Sequence, residues 1–244
     1  MKRQFWVLLL VGMLLGLPQP VWADDGFYVI AGGGRVGTAI TIAPFTITQS
    51  GFYFLTKNLS SAGSGNAITI ATSEVTLDLM GFSITGPGST VGNGIYINPG
   101  MNNVEVRNGS VKGFLIGLNG DYTGDAISQN HRFANLKVSD CGYGISVSIW
   151  GGIITGCQAN NNTNGIYLNS SNIIVDKNTA QFNTNWGFCC LGQGIVTNNS
   201  AISNDTGFVL SGSDSLLVDR NSSGANNTAN WKNLTGCTVG LNTP

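Results

Sequence analysis

Apolar and polar residues alternate in short runs along most of the chain, and a glycine precedes many of these runs. The last three intervals of the pattern glycine–apolar–variable–apolar are 21, 22 and 20 residues, and its members begin at Gly94, Gly144, Gly165, Gly187 and Gly207. Alternation with a period of two predicts short β-strands, and no segment shows the apolar stripe of a helix. A repeat of about 21 residues is typical of a solenoid.

Polar residues recur with the same period in two further registers. The first register contains Cys157, Asn178, Asn199 and Asn221, and the second contains Asn162, Asn183, Asn204 and Asn226. Asparagine tolerates left-handed backbone conformations, and its amide can both donate and accept hydrogen bonds. The registers therefore predict two ladders of stacked side chains at turns, a structural role that requires no active site. Cys157, and Cys141 near the second register, are interpreted as small buried substitutes.

Each repeat contains two or three runs of β-forming residues separated by Gly, Asn and Ser. This predicts an all-β fold, a single-stranded parallel β-helix with three short strands per coil of about 21–22 residues and an N-terminal cap. We expect a right-handed coil because parallel crossovers almost always have this hand. The alternation points one set of first-strand residues inward, namely Ile95, Ile145, Ile166, Phe188 and Phe208. It points the following residues outward, namely Tyr96, Ser146, Tyr167, Cys189 and Val209.

The chain begins with the three-part pattern of a secretory signal peptide. Two positive residues, Lys2 and Arg3, precede an apolar run that ends at Leu17, and the small residue Ala23 follows. The run is shorter than the roughly 20 residues that span a bilayer, so cleavage after Ala23 is favoured over an anchor. We expect a signal peptide at 1–23, a cap with lead-in strands at 24–64 and the β-helix at 65–244. The mature chain is then exported, periplasmic or extracellular, without a membrane span.

Composition narrows the class of partner. Only 9% of the residues are charged, and the formal net charge is −1, whereas soluble domains average about 25% charged residues. So few charges exclude a polybasic nucleic-acid binder. Five cysteines in an exported monomer leave at least one unpaired, and the sequence leaves the pairing open among Cys141, Cys157, Cys189, Cys190 and Cys237. Of the adjacent pair, Cys190 is expected to face the core and Cys189 to be outward and more reactive.

One pair of acids is a weak catalytic candidate. Asp176 and Asp219 share a register two coils apart, which corresponds to roughly 9.6 Å at about 4.8 Å per coil. Inverting glycosidases separate their carboxyl groups by about 6.5–9.5 Å. However, Lys177 and Arg220 follow these acids directly, so the favoured interpretation is a solvated face with neutralised charges.

The remaining candidates are binding residues. An insertion and the segment after it gather varied side chains, which are Asp121, Tyr122, Asp125, His131 and Arg132; a solvated loop is the favoured alternative. Aromatic residues suited to stacking on sugar rings are Tyr96 and Tyr167 on the outward face and Trp150 and Trp186 near turns, although they could simply complete the coil packing. A single histidine does not support zinc or copper, and calcium would need an oxygen cluster that is not evident, so no cofactor is expected.

Several motifs resemble those of a known superfamily. They are Asn-Gly94-Ile-Tyr-Ile, Asn-Gly165-Ile-Tyr-Leu, Val-Asp-Lys-Asn178-Thr-Ala and the lead-in segment Phe45–Leu55. On these residues the chain resembles the right-handed parallel β-helix (pectate-lyase-like) superfamily. Within it, the chain is most similar to exported bacterial proteins with parallel-β-helix repeats, including the periplasmic NosD type.

This fold hosts many activities. The favoured expectation is a non-catalytic exported protein that binds carbohydrate or acts as an envelope-associated scaffold. The alternatives are a polysaccharide lyase or glycoside hydrolase acting on an extracellular glycan, and a NosD-like role in periplasmic assembly. The expected partner is a polysaccharide or envelope component and not a nucleic acid, and the oligomeric state is left open.

Overall fold

A computed structural model describes residues 37–121 and 126–243, so the expected signal peptide lies outside the described residues. The described part consists of twenty-one β-strands and contains no helix, hence none that could cross a membrane. The strands are β1 Thr38–Ile40, β2 Phe45–Ile47, β3 Gly51–Leu55, β4 Leu59–Ser60, β5 Asn66–Ile70, β6 Val75–Asp78, β7 Ser83–Thr85, β8 Asn93–Ile97, β9 Val104–Lys112, β10 Ile116–Asp121, β11 Gln129–Ser139, β12 Tyr143–Ser148, β13 Trp150–Thr155, β14 Gln158–Asn160, β15 Asn164–Asp176, β16 Thr179–Gln181, β17 Trp186–Thr197, β18 Ser200–Ile202, β19 Thr206–Asp219, β20 Ser222–Gly224 and β21 Ala229–Val239.

The strands pair in parallel and stack into three sheets. Sheet A contains β2, β5, β8, β10, β12 and the first parts of β15, β17, β19 and β21. Sheet B contains β1, β3, β6, the first parts of β9 and β11, β13, and the second parts of β15, β17, β19 and β21. Sheet C contains β4, β7, the second parts of β9 and β11, β14, β16, β18 and β20. The chain passes through A, B and C in each of about nine coils, which confirms the predicted parallel β-helix.

The interior is filled by columns of inward-facing side chains, and each column contains the residues at equivalent positions of successive coils. All five residues predicted to point inward from sheet A are at most 1% exposed. Near the C-terminal end, the rings of Phe188 and Phe208 are 4.8 Å apart and those of Phe208 and Trp231 are 4.5 Å apart, nearly parallel in both pairs. Because like residues repeat at each coil, every coil buries the apolar face of its neighbours, as expected for a solenoid.

The lead-in segment already belongs to the stack. Strand β1 pairs with β3 and β2 with β5, both in parallel register. The inward residues Ile40, Ile47 and Leu55 are at most 1% exposed. Coil stacking in the described residues therefore begins at Thr38, ahead of the boundary at residue 65 that the glycine repeat indicated. The repeat missed this part because the first strand of sheet A, β2, lacks the repeated glycine.

The first asparagine register lies at the corner between sheets B and C. Asn178 Oδ1 accepts from the backbone N–H of Cys157, and Asn199 Oδ1 accepts from that of Asn178, both at 2.9 Å. The column continues through Asn221 to Asn242, which the repeat analysis missed. Each buried amide thus provides the backbone of the preceding coil with an acceptor that the corner cannot offer.

The left-handed backbone does not belong to the ladder asparagines themselves. The residue before each of them has positive φ: 57° at Lys177, 54° at Asn198 and 52° at Arg220. The expectation that asparagine is selected for its backbone tolerance is therefore wrong at the ladder positions. The reason for asparagine is its amide, which donates and accepts at once.

The second register, at the corner between sheets C and A, explains the repeated glycine. A Cβ atom at Gly144 or Gly165 would lie 3.0 Å from the amide nitrogen of Asn162 or Asn183 of the next coil, and would also collide with backbone. These asparagine amides in turn accept from the backbone of the preceding coil at 3.0 Å. Glycine is thus needed for space, and the two sequence repeats are parts of one packing unit.

Candidate functional site

Three aromatic rings gather on the outer face of sheet A. Tyr143, Tyr167 and Trp186 come from three successive strands, β12, β15 and β17, and we name them the aromatic patch. Their ring centroids are 6.2 to 6.3 Å apart in all three pairs, at interplanar angles of 36° to 76°. Each of the three side chains is partly exposed. The patch therefore presents ring surface and polar ring edges to solvent over about two coil spacings.

Two columns of sheet A residues that contain the patch have almost no charge. They are Asn66, Asn93, Ile116, Tyr143, Asn164, Trp186, Thr206 and Ala229, and Thr69, Tyr96, Asn119, Ser146, Tyr167, Cys189, Val209 and Lys232. Of these sixteen residues only Lys232, in the last coil, is charged. Amide side chains are linked along and beside the columns, with Asn93 donating to Asn66 at 2.7 Å and Asn185, next to Trp186, donating to Asn164 at 2.9 Å.

Two outward residues beside the patch are nevertheless buried. Ser146 and Cys189 flank Tyr167 in its column and are 4% and 5% exposed. Burial raises the pKa of the Cys189 thiol to about 11. Cys189 thus occupies the outward position that was predicted, but its buried thiol is not ionised near neutral pH at this pKa. Cys190 is in the core as predicted, at 2% exposed.

The other two aromatic candidates lie elsewhere. Tyr96 is on the same face as Tyr167 but three coils away, about 14 Å at the usual strand spacing. Trp150 is 50% exposed at the start of β13 in sheet B. The structure thus brings Tyr167 and Trp186 together and leaves Tyr96 and Trp150 apart.

Tyr143 was missed by the sequence analysis. It directly precedes Gly144, as Trp186 precedes Gly187, and the residue before the repeated glycine faces outward in the column of the patch. An alignment of the coils that included this position would have found it.

Asp176 and Asp219 occupy equivalent outward positions in sheet B, separated by one coil that carries Thr197. Both carboxylates are engaged. Asp176 pairs with Lys177 at 3.4 Å and accepts from Asn198 Nδ2 at 2.8 Å. Asp219 pairs with Arg220 at 3.2 Å and accepts from the backbone N–H of Leu241 at 2.8 Å. These contacts give both acids a role in closing the corner.

His131 is not part of a polar surface loop. It is 1% exposed and faces the interior of the coil, where burial lowers its pKa to about 4. Its Nδ1 accepts from the backbone N–H of Val104 at 3.2 Å, and its Nε2 makes no hydrogen bond within the described residues. The imidazole is therefore neutral at pH 7, and it cannot meet a ligand at the surface.

Arg132 points outward, away from His131, into a charged network on sheet B. It pairs with Glu105, which pairs with Arg107 at 3.1 Å, and Arg107 pairs with the buried Asp78 at 2.8 Å. The hydrogen bond to Asp78 raises the pKa of Arg107. The network spans the adjacent strands β6, β9 and β11, so Arg132 is engaged in a cross-strand contact.

The rest of the expected cluster cannot be placed. Asp121 ends strand β10, and its side chain together with Tyr122 and Asp125 lies outside the described residues. Within residues 37–121 and 126–243, no three His, Cys, Asp or Glu side chains are grouped as a metal ion would require. The five cysteines, all in this part of the chain, are free thiols.

A comparison with known proteins agrees with the fold. No protein-family model and no curated protein sequence matches the chain. Among solved structures, the chain is similar to the crystal structure of the Dettilon tailspike protein, with a TM-score of 0.55 and 13% sequence identity. The similarity covers 77% of this chain and 43% of the tailspike chain, so this chain spans less than half of that protein. At this identity the likeness concerns the fold alone.

Proposed function

We propose that this protein is a non-catalytic carbohydrate-binding β-helix and that the aromatic patch on sheet A is its binding surface. The observation that carries the proposal is the cluster of Tyr143, Tyr167 and Trp186, with ring centroids 6.2 to 6.3 Å apart on one outer face. Partly exposed aromatic rings offer apolar faces for the C–H groups of a sugar and polar edges for its hydroxyls.

The chemistry of the surrounding face favours uncharged sugars. Asparagine amides and threonine or serine hydroxyls can donate to and accept from sugar hydroxyls. A face with a single lysine at its far end offers little to attract a carboxylate or a sulfate. We therefore infer that sheet A binds a neutral glycan, lying along the coil stack so that successive sugars meet successive strands.

Removing one ring of the patch is expected to weaken glycan binding. The Trp186→Ala and Tyr167→Ala variants should each raise the Kd for an uncharged hexasaccharide at least tenfold, which corresponds to about 1.4 kcal/mol of lost stacking and apolar contact. Isothermal titration calorimetry against a panel of uncharged hexasaccharides measures this change.

The matched control for these variants is Trp150→Ala, since Trp150 is exposed on a different sheet. It should change the Kd less than twofold. Equal losses in the Trp150 and Trp186 variants would contradict the placement of the site. Release of reducing ends by the wild-type protein, abolished in Asp176→Ala or Asp219→Ala, would contradict the non-catalytic assignment.

We also propose that the protein acts outside the cytoplasm, where glycans of this kind are found. The support is the basic, apolar and small-residue pattern of residues 1–23. N-terminal sequencing of protein from the culture medium or periplasm should start at Asp24, and an intact Met1 on that material would contradict export by this route.

A further inference from the structure

A recess lies on sheet C, on a different side of the coil stack from the aromatic patch. It has a volume of about 340 Å³, and the residues that line it include Ser110, Lys112, Lys137, Ser139, Gln158 and Asn160. Hydroxyl, amide and ammonium groups provide nearly all of its polar chemistry, and no carboxylate lines it. The recess therefore combines positive charge with hydrogen-bond donors.

Two lysines and two serines lie at the corners of a rectangle at the centre of the recess. Lys137 pairs in register with Ser110, and Ser139 pairs with Lys112. The two rows are about 4.8 Å apart, and residues two positions apart along a strand are about 6.6 Å apart. Lysines thus occupy one diagonal and serines the other. Both lysines are exposed, so their flexible side chains can converge on a group held above the rectangle.

The two lysines of the rectangle have no ion pair, which is also true of Lys57 and Lys232 among the described residues. Lys112 and Lys137 differ from those two in being neighbours on adjacent strands. Of the eight described cations, Arg107, Arg132, Lys177 and Arg220 each pair with a carboxylate. Lys112 and Lys137 have no carboxylate within 4 Å among the described residues, although they are diagonal neighbours of like charge. The nearest acid along the chain, Asp140, instead accepts from Ser139 Oγ at 2.8 Å.

From this arrangement we propose that the rectangle around Lys112 and Lys137 binds a tetrahedral oxyanion, the sulfate or phosphate group of a substituted glycan. Lysine acts as a point charge that suits phosphate-like groups, whereas arginine forms the planar two-point contact that suits a carboxylate. The two ammonium groups and the Ser110 hydroxyl lie at three different corners, which matches oxygens that point in different directions, whereas the Ser139 hydroxyl already donates to Asp140. This site is independent of the proposed neutral-glycan surface, since it lies on another sheet and uses other residues.

The experiment compares three polymers of one backbone: dextran sulfate, carboxymethyl dextran and unsubstituted dextran. Affinities are measured by biolayer interferometry at low ionic strength, where exposed charges are weakly screened. The wild-type protein should bind dextran sulfate at least tenfold more tightly than carboxymethyl dextran of equal charge density. Inorganic phosphate and glucose 6-phosphate should both compete, and better competition by glucose 6-phosphate would assign the group to a sugar rather than to free phosphate.

The variants distinguish binding at this specific site from a general electrostatic attraction between the protein and a polyanion. Lys112→Gln/Lys137→Gln should lose at least tenfold in affinity for dextran sulfate. The control Lys57→Gln/Lys232→Gln removes the same net charge from two other lysines without ion pairs and should lose less than twofold. Both doubles alter exposed residues, so thermal melts should show an unchanged fold.

Equal losses in the two double variants, or equal binding of the sulfated and carboxymethylated polymers, would overturn the proposal. The outcome is distinguishable from that for sheet A, because binding of an uncharged hexasaccharide should be unchanged in Lys112→Gln/Lys137→Gln. Loss of hexasaccharide binding in Trp186→Ala with retained dextran sulfate binding would support two separate sites.

Discussion

Replacing Asn199 with leucine is expected to lower the free energy of unfolding by about 4 kcal/mol, because several buried partners lose a hydrogen bond at once. Asn199 Nδ2 donates to Val175 O at 2.8 Å and to Asn221 Oδ1 at 3.0 Å. Its Oδ1 accepts from the backbone and the side-chain amide of Asn178 at 2.9 and 3.0 Å. Since coils are stabilised by their neighbours, the damage should spread in both directions from this coil, which has neighbours on both sides. Urea unfolding monitored by circular dichroism measures the change.

Two further variants test whether the ladder itself is responsible. Asn169→Leu makes the same chemical change at an exposed strand position and should alter stability by no more than about 0.5 kcal/mol. Asn199→Cys should cost about 2 kcal/mol. Cys157 is tolerated at the end of the column, where it uses the acceptor of Asn178, but a cysteine inside the column replaces that acceptor poorly. Equal, small effects of both leucine variants would show that the column does not stabilise the fold.

Acidification from pH 6.5 to pH 4 is expected to destabilise the protein by up to roughly 3 kcal/mol through His131 alone. Burial lowers the pKa of this imidazole from 6.5 to about 4 in the folded state. Between these values the unfolded chain binds a proton that the folded chain does not, so the free energy of unfolding falls as the pH falls. Protonation would also place an N–H at Nδ1, opposite the N–H of Val104 that it now accepts from.

The His131→Gln variant isolates this contribution, since it removes the titrating group and leaves a side chain that can accept from Val104. The difference in the free energy of unfolding between wild type and variant should narrow by roughly 3 kcal/mol from pH 6.5 to pH 4. The other titrating groups are the same in both proteins, so their contributions cancel in this difference. Urea midpoints at four pH values in this range provide the comparison. Parallel stability curves would mean that His131 is solvated in the folded protein.

The regular part of the fold could be predicted because neighbour contacts in a solenoid repeat with the sequence period. The inward positions Ile166 and Phe188 follow from two-residue alternation, and both are at most 1% exposed. The columns through Asn178 and Asn199 follow from the 21-residue spacing. In the aromatic patch, Tyr167 and Trp186 were identified as candidates from outward position and ring chemistry.

The sequence by itself thus determined the parallel β-helix, its core columns and its asparagine columns, since each of these depends only on period and alternation. Tertiary structure alone decided the positions that depend on register across irregular coils. His131 follows an insertion and has no repeat partner, and its burial in the folded chain, at 1% exposed, shows that it faces inward. In the same way, Lys112 and Lys137 meet only because β9 and β11 align Ser139 with Lys112. The sequence repeat cannot predict this alignment. An insertion changes the number of residues between equivalent positions of two coils, whereas the hydrogen-bonded register of their strands is kept.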